Sequence, residues 1–271
     1  MCIRDSMIAL DNGDPTRESD FRDELYELDA PFEGEGNAIF KSINRLSSVI
    51  WGDKNNAIAI DYWVKNRNEK TYLFNPSNVN QEPKIIYDRN YQDRYSDPGS
   101  FLTERNMYNK NILKIESNSL ILIGDGYSEK GQFPFIDKLS LKDFSSNRIY
   151  NSSYTDKLED ILDFDIKKNQ LLVRIESKSD YPNYYFKSLN GRRINKITDF
   201  KNPFDNLNQV DKEVISYKRN DGVELSGVLY LPIGYNKASR EKMPMIMWAY
   251  PREFKDKNSA SQNLNNPNEF I

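Results

Sequence analysis

The chain has 271 residues, 38 basic and 41 acidic side chains, a formal charge of −3 and no histidine. Interleaved charge without a basic face argues against nucleic acid as a partner, and the missing histidine removes any imidazole base, His-ligated metal or histidine-dependent triad from this chain. The single cysteine, Cys2, leaves no disulfide within the chain, no run is long and apolar enough for a membrane span, and 17 Tyr with 14 Phe supply apolar area for a core.

The first six residues, MCIRDS, look like one reading frame of a sequencing adapter and are set aside from fold reasoning. What remains has no cysteine, which suits a reducing compartment and a disulfide-poor periplasm equally. Residues 7–40 are acidic and polar, and within them FRDELYELDAPFEGEG alone hints at a strand and a turn, a blade remnant. Short β-branched and aromatic runs separated by turn clusters then predict an all-β repeat.

Three four-stranded units can be drawn. The first takes Val49–Trp51, Ala57–Tyr62, Lys70–Phe74 and Lys84–Tyr87, with DKNN and KNRNE as turns. The second takes Ile112–Ile115, Leu120–Ile123, Phe135–Leu141 and Asn147–Tyr150, and the third Ile161–Ile166, Gln170–Ser177, Tyr184–Leu189 and Arg193–Thr198. Each closes on a comparable strand, KIIYD, NRIYN or NKITD, but the long insertion Asp88–Asn109 breaks any rigid period. Propellers protect their edges by completing a ring, so about three blades and a remnant predict further blades upstream of Met7.

FKNPFDNLNQVDK (Phe200–Lys212) carries Pro, Asn and Asp without periodicity and reads as an interdomain linker. Beyond it, Glu213–Lys218 and Val223–Leu231 flank RNDG, a hairpin signal with Asp-Gly at its tip. Met245–Tyr250 is a continuous apolar run between Pro244 and Pro251, the pattern of a strand buried on both faces of a parallel sheet. Open α/β sheets place ligands past the carboxyl ends of their strands, so Tyr250, Arg252 and Glu253 fall either on a catalytic loop or on a plain polar loop after a core strand.

Other chemical motifs fail on spacing. Gly126, Ser128 and Lys130 in GDGYSEK miss the last glycine of a nucleophile elbow, and Gly124 with Gly126 lacks the third glycine and the helix that cradle a phosphate, so the stretch reads as a blade turn. Glu159 with Asp160, and Asp163 with Asp165, read as solvated strand ends in preference to metal or acid–base pairs. Asn151-Ser152-Ser153 has the form of a glycosylation acceptor but reads as an ordinary loop. No cofactor or metal site is expected.

Several of these stretches together resemble a known family. WAYPREFKDKNSASQNLNNPNEF and YKRNDGVELSGVLYLPIGYN (Tyr217–Asn236) look like the opening of the catalytic domain of prolyl oligopeptidase family serine peptidases, in the branch of the glutamyl endopeptidases. YDRNYQDRYSDPGSF (Tyr87–Phe101), FPFIDKLSLKD (Phe133–Asp143) and ESKSDYPNYYFKSLNG (Glu176–Gly191) look like that branch's propeller. The resemblance implies a β-propeller over residues 7–205, truncated at its start, and the first strands of an α/β-hydrolase domain over 206–271. It implies peptide substrates and a Ser, Asp and His triad beyond this chain. It also gives Tyr250 a role, donating its hydroxyl to the oxyanion at the scissile carbonyl. Where many members follow that tyrosine with Gly-Gly this chain has Pro251 and Arg252, and Arg252 is either a contact for an acidic substrate side chain or a surface arginine. The competing expectation is a non-catalytic propeller that binds a protein or peptide.

Overall fold

The computed structural model of the protein describes residues 3–239 and 241–270. It is mainly β, built from successive antiparallel sheets whose strands follow one another in chain order, which is the logic of propeller blades; among the described residues no closed ring is formed. The first sheet is β1 (Ile3–Ala9), β2 (Asp23–Asp29) and β3 (Asn37–Ser42). The second is β4 (Arg45–Trp51), β5 (Ala57–Trp63), β6 (Asn68–Phe74) and β7 (Lys84–Asn90), in that order.

The next stretch carries β8 (Ser100–Phe101), β9 (Thr103–Arg105), β10 (Asn111–Leu113), β11 (Ile115–Glu116), β12 (Ser119–Gly124), β13 (Tyr127–Ser128), β14 (Gly131–Gln132), β15 (Phe135–Ser140) and β16 (Ser146–Asn151). Of these, β11, β12, β15 and β16 form the blade-like order, with β8 also paired to β12. The fourth sheet is β17 (Leu158–Asp165), β18 (Gln170–Glu176), β19 (Asn183–Ser188) and β20 (Ile194–Lys196). A 3-10 turn at Asp205–Gln209 leads to the hairpin β21 (Asp211–Lys218) and β22 (Glu224–Leu231), followed by a second 3-10 turn at Lys237–Ser239 and the single helical turn α1 (Lys257–Ala260). None of the helices among the described residues is long and apolar enough to cross a membrane.

The chain divides into two compact units. One comprises the chain up to Gln92 with Phe101–Ile121 and Lys138–Ser146; the other comprises Asp93–Ser100, Leu122–Asp137 and Asn147 onward. In the first, Leu25, Phe40, Leu46, Ala57, Ala59, Tyr72 and Phe74 form a buried cluster between the β1–β3 and β4–β7 sheets. Phe40 meets Phe74 at 4.9 Å and Tyr72 edge-on at 5.2 Å, offset geometries that aromatic quadrupoles favour. Two buried aspartates fix the strand ends. Asp11 accepts from the guanidinium groups of Arg22 at 2.8 Å and Arg45 at 2.6 Å, which hold its carboxyl down to about 2. Asp61, fully buried, accepts from neutral donors: the backbone and side-chain amides of Asn44 and the hydroxyl of Tyr72.

In the second unit the apolar face of β17 and β18 is Ile161, Phe164, Leu171, Val173 and Ile175, with alternate residues of β18 buried as period two requires. Glu159 lies on this buried side. Its carboxylate accepts from Lys187 Nζ at 2.8 Å and Tyr150 Oη at 2.7 Å, and Lys187 also donates to Tyr150 at 2.7 Å, closing a three-residue ring of hydrogen bonds. Burial, then Glu159, pushes the Tyr150 hydroxyl well above the usual phenol range.

The first and third predicted blades and the hairpin around RNDG form as expected. Three expectations change. The strand expected over Ile112–Ile115 divides, with β10 pairing with β9 and β11 with β12, because the Asp88–Asn109 insertion supplies β9 as a second partner for that run. Glu159 is a buried ion-pair partner and no solvated strand end. Met245–Tyr250 has no regular secondary structure and stands in solvent, with Ile246 98% and Trp248 91% exposed. A strand buried on both faces needs neighbours on both edges, and the β21–β22 hairpin pairs only with itself among the described residues. Apart from these, of the six adapter-like residues Met1 and Cys2 lie outside the described residues, and Ile3–Ser6, whatever their origin, pair with Tyr26–Asp29 in β1.

Two outcomes follow from this packing. Lys187→Met leaves the Glu159 carboxylate buried without its cation and should cost about 3–5 kcal/mol in urea unfolding, whereas Glu159→Leu with Lys187→Met should recover much of that loss; equal losses would contradict the ring. The exposed apolar run should make the chain self-associate, and Ile246→Lys with Trp248→Lys should lower light scattering at equal concentration. Unchanged scattering would place the sticky surface elsewhere.

Candidate functional site

Tyr250 and Arg252, the residues singled out from the sequence, are both exposed, Tyr250 at 81%, and the Tyr250 hydroxyl makes no hydrogen bond among the described residues. Tyr250 ends the irregular apolar run and Arg252 follows it, and neither lines the cavity described below. Glu253, beside them, pairs with Lys255. Ser128 closes the β13–β14 turn by donating to the Gly131 carbonyl at 2.8 Å, and Gly126 sits at φ 68° with the Phe133 carbonyl where a Cβ would stand, so this stretch is a tight turn and no nucleophile elbow. Serine–aspartate contacts do occur, as at Ser259 and Asp256, but Asp256 is there the N-cap of α1 and also accepts from the Ser259 backbone. Among the described residues no cluster of His, Cys, Asp or Glu could hold a metal ion.

The second unit contains a polar cavity of about 400 Å3 that sequence reasoning did not find. Its walls come from the Asp93–Ser100 loop, the β13–β14 hairpin with Phe133, and the adjoining ends of β15 and β16. Arg148 stacks on the Phe135 ring at 3.7 Å and is gripped by both oxygens of Asp137, at 2.9 and 3.1 Å. Arg94 bridges Asp97 at 2.9 Å and Asp125 at 2.7 Å beside the Tyr127 ring. Burial, reinforced by Asp125, pushes the Tyr127 hydroxyl upward. With both guanidiniums answered by carboxylates, the lining offers aromatic faces and hydrogen-bonding edges and little net charge, which suits recognition of a polar chain such as a peptide and supplies no nucleophile–base pair. The only sequence signal was DRYSDPG, where charge, an aromatic and Pro-Gly coincide in a loop.

One wall of this cavity is held by the segment after α1. Gln262 accepts from the Arg94 backbone N–H at 2.8 Å and donates to Asp93 at 2.6 Å, and the Asn263 N–H donates to the Tyr95 hydroxyl at 3.0 Å. Burial pushes the Asp93 carboxyl up, but donors from Gln262, Ser96 and Tyr95 outweigh it, and the group lies below the usual range. Farther along, Asn266 donates to Gln132, Asn268 to the Thr155 carbonyl, and the Phe270 ring meets Tyr181 edge-on at 5.2 Å.

No protein-family model matches the chain. It is 33% identical to a probable chloroplastic glutamyl endopeptidase of Oryza sativa subsp. japonica and 31% identical to its counterpart from Arabidopsis thaliana, over 96% of this chain in both cases. The chain spans 29% of the length of each. Among solved structures, dipeptidyl peptidase 4 of Porphyromonas gingivalis overlaps 79% of this chain and 35% of its own at 11% identity and a TM-score of 0.45, an overlap too loose to bear on the assignment. The motifs quoted from both the blade region and the stretch from Tyr217 onward thus lie inside one stretch of likeness to proteins named glutamyl endopeptidases, in line with the resemblance to the prolyl oligopeptidase family.

Proposed function

We propose that this chain is part of a serine-type peptidase: the late blades of a propeller over residues 7–205, the start of an α/β-hydrolase domain over 206–271, and a Ser, Asp and His triad in sequence beyond it. The observation that carries the proposal is the continuous identity of 31–33% to the named glutamyl endopeptidases over 96% of the chain. The chain's chemistry is compatible: it holds no histidine to serve as base, so the reacting groups must come from elsewhere. Peptides are the substrate class, and the relatives' name suggests cleavage at glutamyl residues, for which exposed Arg252 is the candidate contact.

In this reading Tyr250 acts on the oxyanion. Attack by serine converts the carbonyl oxygen to an oxyanion, and a preorganised hydroxyl aimed there stabilises the transition state more than the bound substrate. The exposed position of Tyr250 requires that the remaining hydrolase strands order this run before the hydroxyl is aimed.

The chain alone should cleave no peptide and take no label from serine-directed phosphonates, while the protein encoded by the uninterrupted reading frame should be labelled at one serine. Specific labelling of the 271-residue chain, or a reading frame lacking a G-x-S-x-G elbow followed by Asp and His, would defeat the proposal. In the complete enzyme Tyr250→Phe keeps the ring and deletes the donor, so kcat should fall about a hundred- to a thousandfold with KM nearly unchanged. A retained kcat, or a loss expressed only in KM or in melting temperature, would make Tyr250 a packing or substrate-contact residue.

A further inference from the structure

The peptide group between Glu269 and Phe270 is gripped from both sides by buried side chains of opposite charge. Lys212, at the start of β21 and 2% exposed, donates from Nζ to the Glu269 carbonyl at 2.6 Å. Glu176, the last residue of β18 and also 2% exposed, accepts the Phe270 N–H on Oε2 at 3.0 Å. The other Glu176 oxygen lies 2.8 Å from the Arg174 guanidinium without hydrogen-bond alignment, and Lys178 donates to the Lys212 carbonyl at 3.0 Å. A charged group taken out of water is costly unless its lone pairs or protons are met, and here one backbone amide meets both charges at once. Burial accordingly pushes the Glu176 carboxyl up and the Lys212 ammonium down.

From this anchor the segment runs back through Asn268, Asn266, Asn263 and Gln262 to the Arg94–Tyr95 wall of the polar cavity. We propose that Glu176 and Lys212 are positioning residues: they clamp the 269–270 peptide group, the clamp holds residues 259–270 as a strap, and the strap sets the cavity wall at Arg94 and Tyr95. The cavity is therefore shaped from a point on β18 and β21 that does not line it. This inference concerns the chain's own conformation and stands whether or not the peptidase reading holds.

The Arg94 amide reports on the strap directly, because its N–H is bonded to Gln262. In hydrogen exchange on the intact chain, Lys212→Met should speed exchange at Phe270 and at Arg94 at least tenfold while β17–β19 amides keep their protection. Lys212→Arg, which retains a donor, and Glu176→Gln, which retains an acceptor, should preserve protection at Arg94, whereas Glu176→Leu should lose it. Should Lys212→Met fail to fold by circular dichroism, Phe270→Ala, which removes the ring against Tyr181 and keeps Cβ, should raise exchange at Arg94 several-fold. Loss confined to Phe270 with Arg94 still protected would overturn the proposal. So would an equal loss across β17–β19, which would make Lys212 an ordinary core residue.

Discussion

A carboxylate taken out of water must be met by donors, and this requirement decides how the strands of each unit are fastened. Asp11 is met by Arg22 and Arg45, Asp61 by Asn44 and Tyr72, Glu159 by Lys187 and Tyr150, and Glu176 by the Phe270 amide with Arg174 nearby. The partners come from different strands or loops. A shift of register by one residue would turn such a group to the other face and leave it unmet, so these contacts specify pairing more than they add net stability. Apolar contacts such as Phe40 on Phe74 tolerate small slips; a buried ion does not.

The sheets that the sequence shows plainly are those where alternation and turn chemistry agree. β5 and β6 are joined through Arg67 at φ 61°, and β17 and β18 through Asn169 at φ 48°, inside turns rich in Asn, Lys and Arg. The third sheet was half legible, because β11 is only two residues long and β9, within the insertion, competes for the same run. Glu159 could not be read as buried from its neighbours, since Lys187 lies 28 positions away. Met245–Tyr250 shows the opposite limit: an apolar run records what a segment can bury, whereas burial itself depends on elements that pair with it.

The two halves of the site were legible to different degrees for the same reason. Tyr250 and Arg252 stood out because they follow a strand-like run and sit in a stretch of family likeness. Arg94, Asp97 and Asp137 also sit in stretches of family likeness, but no strand-like run joins them to Arg148, because the cavity is assembled from a loop, a hairpin turn and two strand ends. Loop-built recognition surfaces leave little periodic trace. The strap is similar: QNLNNPNEF has no period, and its meaning lies in where each amide points.

That reliance on amides has a chemical cost over time. Asn and Gln side chains are among the thermolabile groups of a protein, and hydrolysis replaces an N–H donor with a carboxylate. Asn268 donates to the Thr155 carbonyl and Gln262 donates to the Asp93 carboxylate. At either place the product would set oxygen against oxygen, and at Gln262 charge against like charge. Heat ageing of this protein should therefore loosen the strap, while the backbone-to-backbone ladders of the sheets contain no side-chain amide to hydrolyse.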